Sequence, residues 1–337
     1  MKKRALAVLL TVTMAATLLV GCGNSGKTTT TEDKTKTQDE TTQEETASTG
    51  TEKYGIVIKV LSSEFWQSMK YGIEEKAKEL GVEVEVLAAN SEDDVEGQVT
   101  VFETMIQSGE YNAFAVAPLS DSNLVNTVAE ANKEGYLVAN IDEQVNPDTL
   151  VAQGGSLVCF VTTDNKVVGQ TAGEYIVSLL TSGDDVAIIE GKAGAVSGED
   201  RKEGCKSAFE AAGLNIVDSQ PADWDKTKAY DLATNLISKN ENLKAIYCCN
   251  DTMAMGAQEA VENSGKDIIV VGTDGNSDAI ESVKAGKLAA TIAQDPATVG
   301  GRALELLVEA YRAGDKPGDK EKVDERIDPI LVTKDQN

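Results

Sequence analysis

From Tyr54 onward, short and nearly continuous runs of Val, Ile and Ala alternate with stretches whose apolar residues recur every three to four positions. The short runs predict strands over 54–60, 82–89, 113–119, 136–142, 159–163, 185–191, 215–220, 245–250, 268–274 and 289–294. The amphipathic stretches predict helices over 65–80, 95–108, 123–134, 167–180, 201–212, 226–238, 252–264 and 297–313. Strands apolar throughout, rather than alternating, belong to parallel sheets covered on both faces. Strand–helix alternation along the whole chain therefore predicts an α/β protein built of two doubly wound parallel-sheet lobes.

The first fifty residues break this pattern. Lys2, Lys3 and Arg4 precede an apolar run from Ala5 to Val20, followed by Gly21 and Cys22. A basic start, a short apolar core and small residues at its end are the layout of a secretory signal. The run is too short and too interrupted by threonine to span a bilayer. Leu19-Val20-Gly21-Cys22 resembles the bacterial lipobox, which implies cleavage before Cys22 and lipidation of its thiol. Residues 23–52 are almost wholly Thr, Glu, Asp, Lys, Ser, Gly and Gln. Such a segment cannot bury enough apolar surface to offset its ordering entropy and is expected to be a disordered tether. The expected location is the cell envelope, on the outer face of the cytoplasmic membrane or in the periplasm, held by lipid.

Composition narrows the chemistry. The formal charge is −25 and the chain contains no histidine. A surface this negative argues against nucleic acid and against anionic lipid surfaces, leaving the lipid anchor as the sole expected membrane contact. Without histidine there is no imidazole base, metal ligand or proton shuttle, and ligand affinity is expected to be flat between pH 6 and 8. Of five cysteines, Cys159, Cys205, Cys248 and Cys249 remain after Cys22. Their spacing fits no zinc pattern, and they read as small buried hydrophobes. No metal and no cofactor is expected.

The residues with chemistry to offer share one placement, just past the carboxyl ends of the expected strands, where open α/β sheets bind ligands. Lys59, Ser63, Phe65 and Trp66 follow the first strand, and Asp142 ends the fourth. Arg201 follows the loop after 185–191, and Trp224 follows 215–220. Asn250, Asp274 and Gln294 end the last three. Acid, amide, guanidinium and indole groups are what a polyhydroxylated ring calls for: paired charge-assisted hydrogen bonds to its hydroxyls and flat apolar faces for its C–H surfaces.

At these residues the chain resembles the ribose-type periplasmic sugar-binding proteins of ABC transporters, with a pocket of the allose kind. The likeness runs from Tyr54 to Thr333 and rests on ordered pieces. Among them are Val57-Ile58-Lys59, Phe65-Trp66, Asn140-Ile141-Asp142-Glu143, Glu190-Gly191-Lys192-Ala193-Gly194, Pro221-Ala222-Asp223-Trp224-Asp225, Asn250-Asp251-Thr252-Met253 and Gly272-Thr273-Asp274-Gly275. The resemblance implies the type I periplasmic-binding-protein fold, with an N-terminal lobe of 53–162 and 295–323 and a C-terminal lobe of 163–294 and 324–337. A three-segment hinge would join them. It also implies a non-catalytic binder that closes on a monosaccharide for an ABC permease; a monomer is expected because one ligand per two-lobed unit needs no partner. Phe65 or Trp66 and Trp224 would sandwich the ring, while Asp142, Arg201, Asn250, Asp274 and Gln294 would bond its hydroxyls. The family usually has Asn-Pro before the aromatic pair, where this chain has Ser63-Glu64.

Other readings are open to this sequence. A sensor subunit presenting its liganded form to a chemoreceptor or kinase would look the same. A secreted glycosidase using Asp142 and Asp274 as a carboxylate pair is the main catalytic alternative. The glycine-rich stretch 191–198 fits neither a Walker nor a dinucleotide fingerprint and reads as a loop. Asp93-Asp94 and Asp184-Asp185 sit at element starts, where acidic caps are ordinary.

Overall fold

The computed structural model describes residues 51–336, so the expected leader, Cys22 and all but the end of the tether lie outside the described residues. The chain runs β1 (Lys53–Ile58), α1 (Glu64–Leu80), β2 (Glu83–Ala88), α2 (Val95–Ser108), β3 (Ala113–Val116), α3 (Val125–Lys133), β4 (Val138–Ile141), α4 (Pro147–Ala152) and β5 (Cys159–Thr163). It continues as α5 (Asn165–Leu179), β6 (Asp185–Glu190), α6 (Val196–Ala212), β7 (Asn215–Pro221), α7 (Lys226–Lys239), β8 (Leu243–Cys248), α8 (Asp251–Ser264), β9 (Ile269–Asp274), α9 (Ser277–Lys284) and β10 (Ala290–Ala293). It closes with α10 (Pro296–Arg312), β11 (Val323–Ile327) and β12 (Ile330–Thr333).

Two six-stranded sheets result, ordered β11-β5-β4-β3-β1-β2 and β12-β10-β9-β8-β6-β7. The central strands β3 and β4 are buried at every residue, which is why AFAV reads as an unbroken apolar run and VANI is broken only by Asn140. In the first lobe, Met69 and Ile73 of α1 and Leu304 and Leu307 of α10 cover one face of the sheet. Phe102 and Met105 of α2 with Val128 of α3 cover the other. The second lobe has one continuous core around Val186–Ile189, Ala245–Cys249, Val270 and Val271. All four cysteines of the described lobes are buried and unpaired.

The chain crosses between the sheets after β5, after β10 and after β11. The first and third crossings are tied together, Asp164 N–H donating to the Ile327 carbonyl at 3.2 Å. This corrects two expected boundaries. Residues 324–327 belong to the first lobe, because β11 pairs parallel with β5 from Val323↔Cys159 to Ile327↔Thr163. Thr163 ends β5 and belongs to the first lobe as well. The expectation of purely parallel sheets also needs amending, since β12 runs antiparallel to β10 at the edge of the second.

Every expected strand is present. The elements that went unread are α4, α9, β11 and β12, short pieces with no extended apolar period. One helix starts more than a turn earlier than expected. α6 begins at Val196 rather than Arg201, so the glycine-rich stretch is a loop only as far as Ala195. Its first turn, Val-Ser-Gly-Glu, has the composition of a loop. What makes it helical lies elsewhere in the chain.

Candidate functional site

The carboxyl ends of both sheets face one cleft of about 540 Å³. Its first-lobe wall holds Lys59, Ser63, Phe65 and Trp66 around the start of α1, Asn90–Asp93 after β2, and Asp142 after β4. The second-lobe wall holds Ser197 and Arg201 of α6, Asp223–Asp225 after β7, Asn250 at the start of α8, and Asp274 at the end of β9. All the expected site residues line this space except Gln294. That residue donates from Nε2 to Asp274 Oδ1 at 2.6 Å and so orients the carboxylate.

The aromatic groups are fixed from behind. Trp66 is buried and meets Phe65 edge-on, with centroids 5.1 Å apart at 81°. Trp224 lies across Gly191 and Gly198, where a Cβ would come within 2.0 Å and 3.0 Å of the indole. Glycine at 191 is a steric requirement of that indole. The guanidinium of Arg201 sits 5.8 Å from the Trp224 ring. Arg201 itself is held by α6 backing onto α5: a Cβ on Gly169 would stand 1.9 Å from the Arg201 carbonyl oxygen, so only glycine permits the approach.

One edge of the Arg201 guanidinium is held by the protein, and Nη2 is left for the cleft. Nε donates to Asn165 Oδ1 at 2.8 Å, and Nη1 donates to the Cys249 carbonyl at 2.8 Å and reaches Asp274 Oδ1 at 3.5 Å. Asn250 caps α8 by accepting the Met253 N–H at 2.9 Å through Oδ1, which leaves its amide nitrogen for the cleft. Lys59 is buried and its ammonium is bound by Glu143 at 2.9 Å.

Backbone strain collects at this site. Among the described residues, the non-glycine residues with positive φ are Asp142 (59°), Asp223 (54°), Trp224 (63°) and Asp274 (125°), and every one lines the cleft. Such conformations cost on the order of 1–3 kcal/mol each and persist where the surroundings over-determine them. At Asp274 the restraint is visible. Buried Asp251 accepts the N–H groups of Gly275 and Asn276 at 2.8 and 2.9 Å and the Thr291 hydroxyl at 2.8 Å.

Burial raises three acids of the cleft, Asp142, Asp274 and Glu92, whereas Lys192 holds Asp93 below its usual range. Asp142 is pushed up to about 6, with Lys59 opposing. Asp274 is also pushed up to about 6, with Arg201 opposing. Burial would lower Lys59, but Glu143, Glu92 and Asp142 outweigh it and the ammonium is raised. Asp142 Oδ1, Glu92 Oε2 and Gln294 Oε1 are buried side-chain oxygens without a partner, and all three belong to this site or its immediate support.

The lobes also touch directly, through residues that no local pattern marks. Glu143 of the first lobe accepts the Ser197 N–H at 3.2 Å and the Ser197 hydroxyl at 2.8 Å. Glu64 accepts the Ser277 N–H at 3.1 Å and the Ser277 hydroxyl at 2.8 Å. Ser197 and Ser277 lie in the first turns of α6 and α9, whose own N-cap residues, Ala195 and Asn276, make no side-chain cap bond. Each helix is thus capped by a glutamate of the opposite lobe. Lys192 adds a third bridge, bonding the Glu92 carbonyl and the Asp93 carboxylate, the latter at 2.7 Å.

This two-lobed frame with a shared cleft can be set against known proteins. The periplasmic binding protein domain family matches residues 54–316. The chain belongs to that family. A periplasmic binding protein of this kind from Escherichia coli, the D-allose-binding periplasmic protein, is 48% identical over 286 residues, spanning 83% of this chain and 92% of that one. The ribose import binding protein of Bacillus subtilis is 36% identical, covering 74% and 79%. Among solved structures, a periplasmic solute-binding protein of an ABC transporter from Actinobacillus succinogenes with bound D-allose has 32% identity. Its TM-score is 0.78, over 85% of this chain and 98% of that one. The present periplasmic binding protein is therefore a type I, sugar-binding member related to the ribose- and D-allose-binding proteins of ABC transporters, with a non-catalytic role. The glycosidase reading of Asp142 and Asp274 falls with that assignment.

Proposed function

We propose that this chain is an extracytoplasmic, lipid-anchored binding protein that captures a single monosaccharide of the allose or ribose kind between its lobes. Its closed form is then handed to an ABC permease. The observation that carries this reading is the convergence of Trp66 and Trp224, from opposite lobes, on one cleft that also holds Asp142, Arg201, Asn250 and Asp274. Indole faces cover the apolar side of a pyranose, and carboxylates with a guanidinium bind vicinal hydroxyls in pairs. The wall is rich in acids: Glu64, Glu92, Asp93, Asp142, Asp223, Asp225, Asp274 and Asp278 against Lys59, Arg201 and Lys228. That balance favours a neutral sugar and repels phosphorylated or uronic ones.

In this account no bond of the ligand is made or broken. Sugar bound to one lobe supplies contacts to the other, and the closed population rises by its differential affinity for that state. Closure completes the caps that Glu64 and Glu143 give to α9 and α6, so part of the closing free energy resides in the protein. The protein acts as a monomer, since one cleft serves one ligand.

Titration calorimetry with D-allose, D-ribose, other pentoses and hexoses, and a hexose 6-phosphate tests the reading. The expected result is saturable one-to-one binding of a neutral aldose and none of the phosphate. Heat from the phosphorylated sugar alone, or from no sugar at all, contradicts it.

A further inference from the structure

The side chain of Glu92 makes no hydrogen bond or ion pair within the fold, and its surroundings suggest what it is for. Glu92 sits in the loop between β2 and α2, on the same wall as Lys59, Ser63 and Trp66. Its Oε2 is buried and without a hydrogen-bond partner. The nearby cations are already engaged. Lys59 is bound to Glu143 at 2.9 Å, and Lys192 is bound to the Glu92 carbonyl and to Asp93 at 2.7 Å. The loop cannot simply swing the carboxylate out to water. Asp94 clamps it by accepting from Asn90 Nδ2 at 2.7 Å and from the Gly97 N–H at 3.1 Å, and Lys192 holds its middle from the other lobe. Burial accordingly pushes the Glu92 carboxyl above its usual range, with Lys59 and Lys192 pulling against it.

A carboxylate oxygen kept out of water without a donor is costly, and a hydroxyl arriving from a ligand relieves that cost. On the same first-lobe wall, Ser63 occupies the N-cap position of α1 without making a cap bond, so a second polar group there is left for a ligand. On this basis, and resting on the sugar reading of the cleft, we infer that Glu92 is a specificity-determining residue that accepts a hydrogen bond from one hydroxyl of the bound sugar, at the Lys59–Trp66 end. A carboxylate accepts and does not donate, so it distinguishes a hydroxyl from a hydrogen or a fluorine at that carbon. Because Lys192 reaches the loop from the opposite lobe, the acceptor is fixed in place by closure, and its selectivity belongs to the closed form.

The test is a set of calorimetric titrations of wild type, Glu92→Gln and Glu92→Ala with D-allose and its monodeoxy and deoxyfluoro derivatives, alongside thermal melts of the ligand-free proteins. Loss of one hydroxyl is expected to weaken wild-type binding about 10- to 100-fold. Glu92→Ala is expected to weaken D-allose binding to a similar degree and to erase the penalty for that derivative alone. Glu92→Gln, which keeps an acceptor oxygen without the charge, should fall between. The melting temperature of the ligand-free variants should not drop, because the side chain makes no bond in the fold. Variants that bind D-allose like wild type, penalties that persist for every derivative, or a lowered melting temperature accompanying weaker binding would each overturn the assignment. A wild type that takes up none of these sugars removes the sugar reading itself, and the role of Glu92 goes with it.

Discussion

At the scale of single residues, function depends on groups that the fold holds in costly states. Trp224 sits at positive φ over two glycines, with Arg201 nearby. Trp224→Ala is expected to weaken sugar binding about 30-fold or more, the size of a truncated aromatic anchor in a desolvated site. Gly191→Ala should do the same without touching the ligand, because its Cβ would displace the indole. Calorimetry with a parallel thermal melt separates lost affinity from lost fold. The acids set the pH behaviour. With Asp142 and Asp274 both near 6, the ionised acceptors that a sugar needs are lost as pH falls through that value. Affinity is expected to hold steady from pH 7 to 8 and to decline below pH 6, which revises the flat profile that the absence of histidine suggested. The stability sign is opposite. A carboxyl raised from 3.8 to about 6 stabilises the fold fully below its unfolded value, and that contribution is lost as pH rises through 6. Hence Asp142→Asn should melt above wild type at pH 7, and the gap should close by pH 4.

At the scale of elements, the sequence was most readable where apolar period and length agreed. The buried parallel strands and the long amphipathic helices stand within a few residues of expectation. β11 and β12 were missed because VDERI and ILVT lie at sheet edges, where only part of each strand is covered. α6 and α9 show a different limit. Their first turns are supported by Glu143 and Glu64, 54 and 213 residues away in the chain, so no local window contains the stabilising group. The Ser63-Glu64 pair, read in the sequence only as a departure from the family, gains a structural role in this way. Removing a helix cap costs about 1 kcal/mol. Glu64→Ala is therefore expected to lower the closed fraction of the ligand-free protein and its sugar affinity about fivefold, with Glu64→Gln recovering part of both. Small-angle scattering with calorimetry reads the two effects. An unchanged radius of gyration with unchanged affinity would show the cross-lobe cap to be idle.

At the scale of the whole molecule, a basic and then apolar stretch, Cys22 and a polar stretch precede in sequence two lobes that meet over a cleft. The lipid attachment proposed at Cys22 predicts that the protein sediments with membranes and that Cys22→Ala releases it in soluble form. Fractionation that finds both forms soluble would remove the anchor from the account. The positions of the cleft residues past strand ends were legible from the topology rule alone, since open α/β sheets gather ligands there. What the topology rule could not give was rank. Gln294 ends a strand like the others yet bonds Asp274, and Glu92 and Glu143 gain their partners or their lack of them only from the folded lobes.

The chain's composition offers an unusually direct test of the cleft. It contains two tryptophans, and both lie on opposite walls of it, so intrinsic indole emission reports on nothing else. Titration with D-allose or D-ribose, followed by acrylamide quenching, is expected to give a saturable emission change and to shield both indoles, with each single-tryptophan variant (Trp66→Phe, Trp224→Phe) reporting its own half. Sugar binding detected by calorimetry that leaves both indoles as quenchable as before would place the ligand elsewhere and contradict the account.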